Sequence, residues 1–348
     1  MEAGTRAGEL LRRYWHPVAR SDEATTTPRN VTLLGEDLVL YRDKSGTPGL
    51  LTPRCCHRGT TLYFGRVEDN GIRCSYHGWL FAEDGQCLDQ PCEPDRGRNK
   101  ASYRQPWYPV QEYNGLIFAY MGPADKQPVF PRFDIFEDMT DDEEIVIVDH
   151  FAFGGPSEAP CNWFQTHENS MDAYHVFILH NAISGPQFDP KLEIWPRVAW
   201  QRHPWGITST QDRELPDGTT LHRVTETRIP TMRVIPTPTL SVLGRTNNCS
   251  WAVPIDRYRT RVYAMLRKLK SQPAQGLPVY DGNRSWFDLS DEERTNDSQE
   301  TTKPKSARER LRCTATSVCR QPTAVSRLCA ANSKNSSRLS PRVVILTA

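Results

Sequence analysis

The sequence lacks any apolar run long enough to cross a membrane, and its mean hydropathy is −0.62. A transmembrane helix needs about 20 consecutive apolar residues, so a membrane-spanning class is excluded. Residues 1–13 carry charges of both signs and no apolar signal core, so no secretory signal is visible. We therefore expect a cytoplasmic protein with no membrane association.

The sequence also gives little support for disulfides, although it contains ten cysteines. In a cytoplasmic protein, cysteines are more often metal ligands or buried thiols than disulfide partners. Four of them show no ligand spacing and are predicted to be ordinary core or surface thiols: Cys87, Cys92, Cys161 and Cys249.

Residues 298–348 contain no Phe, Trp, Tyr or Gly, although 9% of the whole chain is aromatic. They carry ten Lys and Arg against two Glu, a net charge of +8, which leaves −7 for residues 1–297. Such a composition cannot build a core, so a disordered or out-of-frame tail is predicted. A basic tail can indicate nucleic-acid binding, but nothing beyond charge supports this, and we expect no nucleic-acid partner.

Two short motifs combine cysteine with histidine: Cys55-Cys56-His57 and Cys74-Ser75-Tyr76-His77. Two thiolates and two imidazoles are the ligand set of a Rieske [2Fe–2S] centre, in which the cysteines hold one iron and the histidines hold the other. The predicted ligands are Cys55, His57, Cys74 and His77. Such a cluster transfers electrons one at a time.

A structural zinc site is the alternative for these motifs, because two cysteines and two histidines also satisfy tetrahedral Zn²⁺. Zinc fingers usually pair Cys with Cys and His with His, whereas each motif here is mixed. Mixed motifs let two tight loops meet, each offering one sulfur and one imidazole. The spacing therefore favours the iron–sulfur cluster.

Short apolar runs between polar turns dominate the first third of the chain, which is typical of antiparallel strands. The predicted strands are 31–34, 38–41, 50–51, 71–73, 80–82 and 116–120. They predict a small antiparallel sandwich with the two ligand motifs at one end. Residues 1–125 are assigned to this domain.

The length of 348 residues allows two ordinary domains. After a linker at 123–131, we expect a strand at 144–148, a helix at 162–179 and strand-like runs from 198 to 266. Residues 126–297 are therefore predicted to form a second domain, and the fold class is α+β.

The predicted helix contains Asp172 and His175, whose spacing of three places them on one face. His180 can converge with His175 only if the helix ends, kinks or carries a π-type distortion between them. Alone, these histidines would more often be ordinary polar residues near a helix end. An electron-carrying cluster needs an acceptor, however, and two histidines with a carboxylate around Fe(II) are typical of non-haem iron oxygenases.

Over residues 8–297 the chain resembles the oxygenase (alpha) subunits of Rieske non-haem iron aromatic ring-hydroxylating oxygenases, in the branch of phthalate dioxygenase and vanillate-type O-demethylases. Residues 13–18, the two cysteine–histidine motifs with their following glycines, and residues 168–175 with His180 carry the resemblance. It implies an antiparallel β Rieske domain followed by a helix-grip-like α+β catalytic domain. It also implies a terminal oxygenase that uses O₂ and electrons from an NAD(P)H-dependent reductase or ferredoxin. The expected reaction is hydroxylation or oxidative O-demethylation of an aromatic compound.

By the same resemblance, Cys55, His57, Cys74 and His77 bind the cluster, and His175 and His180 bind a mononuclear Fe(II). Asp172 is implied to bridge a cluster histidine of one subunit to an iron-ligand histidine of the next, in a homotrimeric ring. A carboxylate that accepts N–H bonds from two ligand imidazoles fixes their orientation. The alternative for Asp172 is an ordinary exposed helix carboxylate.

The third iron ligand is predicted as Asp297, with Asp291 as the next candidate. The family pattern stops there, since the expected Gly-Pro turn and long apolar helix do not follow. We hypothesise that residues from about 298 are an out-of-frame or rearranged translation, which sequencing of the gene around codon 297 would test. Cys56 stands where the family usually has proline and is predicted to be a quiet loop residue.

A different functional class fits the same motifs if the iron site is incomplete. The chain would then be a Rieske electron carrier or a catalytically impaired oxygenase subunit. About two irons per chain would support the carrier, and a third, ferrous and O₂-responsive, would support the enzyme. The substrate, and the choice among monooxygenation, dioxygenation and O-demethylation, do not follow from the motifs.

Overall fold

The computed structural model describes residues 3–149, 157–178, 188–236 and 246–271. The chain divides into two compact units, 1–130 with 253–257, and 131–252 with 258–348. The predicted tail at 298–348 lies outside the described residues. Within the described ranges, no helix combines the length and the apolar character that crossing a membrane requires.

The first unit is built almost entirely of short antiparallel strands after one helix, α1 (Arg6–Leu11), which Thr5 caps by accepting a hydrogen bond from Gly8 N (3.1 Å). Its strands are β1 (Trp15–Arg20), β2 (Arg29–Leu33), β3 (Glu36–Arg42), β4 (Pro48–Leu51), β5 (Arg66–Glu68), β6 (Gly71–Arg73), β7 (Leu80–Phe81), β8 (Cys87–Asp89), β9 (Val110–Tyr113) and β10 (Leu116–Tyr120). They form three sheets, ordered β1-β10-β9, β2-β3-β4 and β5-β6-β7-β8. The six strands predicted from the sequence are confirmed, with ends shifted by a residue or two.

The two ligand motifs occupy the connections after β4 and between β6 and β7. A core of side chains from these strands lies beneath them and includes Tyr41, Leu51, Ile72 and Phe81, all fully buried. Burial of each such side chain contributes roughly 1.5–3 kcal/mol to the stability of the fold. The ligand loops are therefore attached to a well-packed core.

The second unit combines one large sheet with a short helix, α2 (Trp163–Asn169). Its strands are β11 (Glu143–Val148), β12 (Glu158–Ala159), β13 (Arg197–His203), β14 (Gly206–Glu214), β15 (Thr220–Arg228), β16 (Met232–Val234), β17 (Asn248–Pro254) and β18 (Thr260–Leu269). The order is β11-β18-β17-β16-β15-β14-β13, with β12 also paired to β18. The α+β fold class is confirmed.

The helix predicted at 162–179 is wrong as one continuous element. Asn162 caps α2 by accepting a hydrogen bond from Phe164 N (3.0 Å), and the helix ends at Asn169. Ser170 then hydrogen-bonds the Thr227 hydroxyl on β15 (2.7 Å), and Met171 O accepts from Trp200 Nε1 on β13 (3.0 Å). These bonds to distant strands hold the chain in a non-helical link before a second helical turn at 174–178.

Candidate functional site

The first ligand loop, residues 52–61, is closed by its own backbone. Cys55 N donates to Thr60 O (2.9 Å), and Gly59 N donates to Cys55 O (2.8 Å). Gly59 has a φ of +75°, a left-handed conformation that glycine adopts without a steric penalty. The turn leaves Cys55 only 3% exposed and His57 half-buried.

The second ligand loop, residues 74–79, repeats this hydrogen-bond pattern. Cys74 N donates to Trp79 O (2.8 Å), and Gly78 N donates to Cys74 O (3.1 Å). Gly78 has a φ of +72°, and a Cβ there would lie 2.7 Å from Pro91 Cγ. Each loop therefore places one cysteine inside and one histidine toward the surface.

The four predicted cluster ligands line one small, open cavity together with Arg58, Thr60, Tyr76 and Trp79. Cys55 and Cys74 are both buried, 3% and 4% exposed, in the same hydrophobic cluster. The His57 and His77 rings have centroids 4.6 Å apart, and His57 stacks on Trp79 at 4.5 Å. The structure thus brings together all four ligands that the sequence predicted.

The electrostatics of this cavity favour neutral side chains. A hydrogen bond with Cys56 and burial raise the pKa of Cys55, and burial raises the pKa of Cys74. Burial and the neighbouring His77 lower the pKa of His57. A bound cation would reverse the effect on the thiols, because it stabilises thiolates, and would use the neutral imidazole directly.

The donor set and its pairing fit a [2Fe–2S] cluster. The two cysteines are buried and the two imidazoles lie beside each other toward the surface, an arrangement that suits two irons with two protein ligands each. Among the described residues, no group of three or more His, Cys, Asp or Glu is arranged to hold a single ion. Trp79, which lines the cavity, has a buried indole N–H without a hydrogen-bond acceptor in the described ranges, a donor that cluster sulfurs could satisfy.

An ion-pair network centred on Arg73 holds the second ligand loop in place. Arg73 donates to both carboxylate oxygens of Glu68 (2.8 Å each), to Asp89 (2.8 Å) and to Gly78 O (2.5 Å). The Arg73 guanidinium lowers the pKa of Glu68 to about 2. Because Arg73 is half-buried, its rigid fork fixes the position of Gly78 and with it the loop.

The link after α2 holds Asp172 and His175. Asp172 Oδ1 accepts hydrogen bonds from Tyr174 N (2.9 Å) and His175 N (3.3 Å), so this aspartate caps the second helical turn rather than lying within a helix. Its side chain is 48% exposed. Residues 176–178 are π-helical, which is one of the three irregularities that convergence of His175 with His180 would require.

His175 is oriented by the same link. Its Nδ1 lies 2.5 Å from Asp172 O. A carbonyl oxygen only accepts, so Nδ1 carries the proton and the lone pair of the neutral ring is on Nε2. Burial lowers the pKa of His175, which favours this neutral, metal-binding form. The other predicted iron ligands, His180 and Asp297, and the further candidate Asp291 lie outside the described residues.

Comparison of the chain with known proteins identifies its family. The family model described as "Rieske [2Fe-2S] domain" matches residues 14–113 of the chain. The chain is 47% identical over 300 residues to the phenoxybenzoate dioxygenase subunit alpha of Ectopseudomonas oleovorans, covering 84% of this chain and 72% of that protein. The chain belongs to the oxygenase (alpha) subunits of Rieske aromatic oxygenases.

Other members of the family match over shorter spans. The 5,5'-dehydrodivanillate O-demethylase oxygenase subunit of Sphingobium sp. is 40% identical, over 62% of this chain and 50% of that protein. The fold is also that of dicamba monooxygenase bound to dicamba, at a TM-score of 0.61 and 19% identity, over 94% of this chain and 96% of that one. The 47% identity to a dioxygenase alpha subunit confirms the predicted terminal oxygenase over the alternative of an electron carrier, and the match to dicamba monooxygenase shows the fold alone.

The motif analysis missed a polar face on the sheet of this Rieske oxygenase. Ser209, Gln211 and Arg213 alternate on β14 and are buried, as are Arg223 and Thr225 on β15. The register pairs Ser209 with Thr225 and Gln211 with Arg223. Residues 208–214 are polar at every position, so no alternation in the sequence identified the buried face, and only the sheet showed which side chains face inward.

Proposed function

We propose that this Rieske oxygenase subunit inserts oxygen from O₂ into an aromatic substrate at a mononuclear iron held by His175, His180 and Asp297. When bound, the cluster and the iron supply the electron transfer and the oxygen chemistry. The observation that carries the proposal is the Nδ1–H of His175 bonded to Asp172 O, which places the lone pair of the neutral ring on Nε2. Backbone bonds of this kind are typical of metal-binding histidines.

Asp172 is proposed to couple this subunit to its neighbour in a homotrimer. Its Oδ1 is used as a helix cap, and its side chain is about half exposed. A second carboxylate oxygen at the surface can accept an imidazole N–H from another subunit. The aspartate would then orient ligand imidazoles on both sides of the interface.

The electron donor is proposed to be a reductase or ferredoxin that approaches the edge of the cluster site. His57 and His77 are half-buried, whereas the two cysteines are buried, so the imidazoles form the outer side of the cavity. Exposed aromatic side chains lie on the same loops and beside them, with Tyr76 at 64% and Phe64 at 70% exposure. Surface aromatics are common at protein interfaces.

The substrate is proposed to be an aromatic carboxylate. Arg213 is fully buried on the polar face of the sheet, with Nε bonded to Ile194 O (3.0 Å), and no described carboxylate pairs with it. Burial and the nearby Arg213 lower the pKa of Arg223 to about 10. A buried guanidinium such as that of Arg213, with no carboxylate partner among the described residues, favours an anionic ligand. Relatives named for phenoxybenzoate and phthalate dioxygenation agree with this class.

Anaerobic purification with metal analysis and EPR tests the metal sites. We expect a Rieske signal and about three irons per chain, two of them in the cluster. Assay with a reductase, O₂ and a phenoxybenzoate should then give a hydroxylated product, and the neutral diphenyl ether should react poorly. Two irons per chain with no product would contradict the iron site, and equal rates on both compounds would contradict the carboxylate.

A further inference from the structure

Gln105 is a fully buried polar residue beside the cluster site that no ligand motif contains. It lies in a segment, 103–108, that bridges two parts of the first unit. Leu51, at the end of β4, pairs with Trp107, and Gln86, just before β8, pairs with Arg104. A buried amide at such a junction must have its hydrogen bonds satisfied by the groups it joins.

The side chain of Gln105 binds the first ligand loop. Its Oε1 accepts a hydrogen bond from Cys56 N (2.7 Å), and its Nε2 donates to Thr52 O (2.9 Å) and Arg54 O (2.8 Å). Two backbone carbonyls can only accept and one N–H can only donate, so the orientation of the amide is unambiguous. The amide therefore spans the loop on both sides of Cys55.

The backbone of Gln105 binds the strand that leaves the second ligand loop. Gln105 N donates to Gly85 O (2.7 Å), and Gly85 N closes the turn after β7 by donating to Ala82 O (2.9 Å). Gly85 has a φ of +76°, and a Cβ there would lie 2.0 Å from Gln105 O. The close approach of the two segments therefore requires glycine at position 85.

We propose that Gln105 is a positioning residue that sets the separation of the two cluster-binding loops. One residue holds the loop of Cys55 by its side chain and the turn beyond Cys74 by its backbone. Metal–ligand distances tolerate changes of only about 0.2 Å, so the two loops need a fixed spacing. The residue acts through the loops and does not touch the metal.

Two substitutions separate this role from ordinary packing. Gln105→Met conserves volume but leaves Cys56 N, Thr52 O and Arg54 O without their partner. Gln105→Glu keeps an acceptor for Cys56 N but places a carboxylate oxygen against the two carbonyls. Gln111→Met is the matched control, because Gln111 is exposed on β9 and, among the described residues, its side chain bonds only to the adjacent Glu112 O (3.3 Å).

The readouts are the EPR g-values, the reduction potential and the rate of iron loss to a chelator, all on cluster-loaded protein. For both Gln105 variants we expect shifted g-values, a shifted potential and iron loss faster by roughly ten-fold or more. Gln111→Met should match the wild type in all three. If Gln105→Met does not fold, the comparison of Gln105→Glu with the wild type decides.

A purely structural role predicts a lower melting temperature with an unchanged cluster. Wild-type g-values, potential and iron-loss rate in a folded Gln105 variant would therefore overturn the proposal while leaving the cluster intact. The absence of a Rieske signal from the wild type would overturn the cluster assignment and this proposal together. The two failures are thus distinguishable.

Discussion

The ring of His175 is hydrogen-bonded to the backbone of Asp172, with Nδ1 of His175 2.5 Å from the carbonyl oxygen of Asp172. The Asp172 carboxylate at the same time caps the helical turn that carries His175, through Tyr174 N (2.9 Å). One residue therefore fixes both the backbone and the ring of the histidine. Its carboxylate remains about half exposed for an additional partner.

Asp172→Asn should leave both metal sites loaded and reduce turnover by roughly 10- to 100-fold. Asparagine caps a helix as well as aspartate does, so the local fold is retained, whereas the charge that couples ligand imidazoles is lost. Iron analysis and the yield of product per electron consumed would measure this. Asp189→Asn is the control, since Asp189 is also a cap, accepting from Lys191 N (2.9 Å). Near-normal coupled product formation in Asp172→Asn would refute the role.

Cys56→Ser should retain about two cluster irons per chain and a Rieske EPR signal, whereas Cys55→Ser should lose both. Cys55 and Cys74 are buried whereas Cys56 is exposed, so we expect Cys55 rather than Cys56 to be the cluster ligand. The backbone N–H of Cys56, bonded to Gln105, is unaffected by the substitution. Loss of the signal in Cys56→Ser would make this thiol a ligand and contradict the assignment.

Arg213→Met should raise KM for an aromatic carboxylate by roughly 10- to 100-fold, the value of a hydrogen bond to a charged group. The KM for an uncharged aromatic analogue should change much less, and comparing the two separates anion binding from damage to the fold. Arg197→Met on β13 is the control, because Arg197 is exposed and pairs with Glu214 (2.9 Å). An equal change in KM for both substrates would argue against carboxylate binding.

Arg267→Met should lower the free energy of unfolding of the second unit by about 2–3 kcal/mol. The Arg267 side chain is 4% exposed and donates to Glu143 (2.7 Å), to the Asp138 carboxylate (2.6 Å) and to Ile135 O (2.9 Å). Chemical denaturation measures the loss. Arg132→Met, which removes an exposed ion pair, should cost less than about 1 kcal/mol. Similar losses in both variants would contradict the prediction.

The ion pair between Arg267 and Glu143 should also affect how the free energy of unfolding changes with pH in acid. Hydrogen bonds from Arg267 lower the pKa of Glu143 from 4.5 to about 2. A lowered carboxyl pKa contributes stability above about pH 4.5, and this contribution is lost as the pH falls toward 2. Glu143→Gln should therefore lose stability at neutral pH and depend less on pH in this window. Parallel pH profiles for wild type and variant would exclude the linkage.

The strands beside the ligand loops were predicted correctly from the sequence, whereas the length of α2 was not. Strands β3, β4 and β10 could be predicted from apolar runs and turn residues, because those signals depend only on neighbouring residues in the sequence. The long helix from 162 did not form, because Ser170 and Met171 bond to Thr227 and Trp200 on distant strands. Local helix propensity carries no information about those partners, and tertiary bonds overrode it.

By itself, the sequence was sufficient to predict the Rieske domain and the donor set of its cluster site. Donor type and spacing within two short loops are local properties, and Cys55, His57, Cys74 and His77 meet as expected. Only the tertiary structure decided that Asp172 caps the turn of His175, that Arg213 faces inward and that Gln105 joins the first ligand loop to the turn at Gly85. Each of these depends on hydrogen bonds or burial between segments far apart in the chain, which no local pattern encodes.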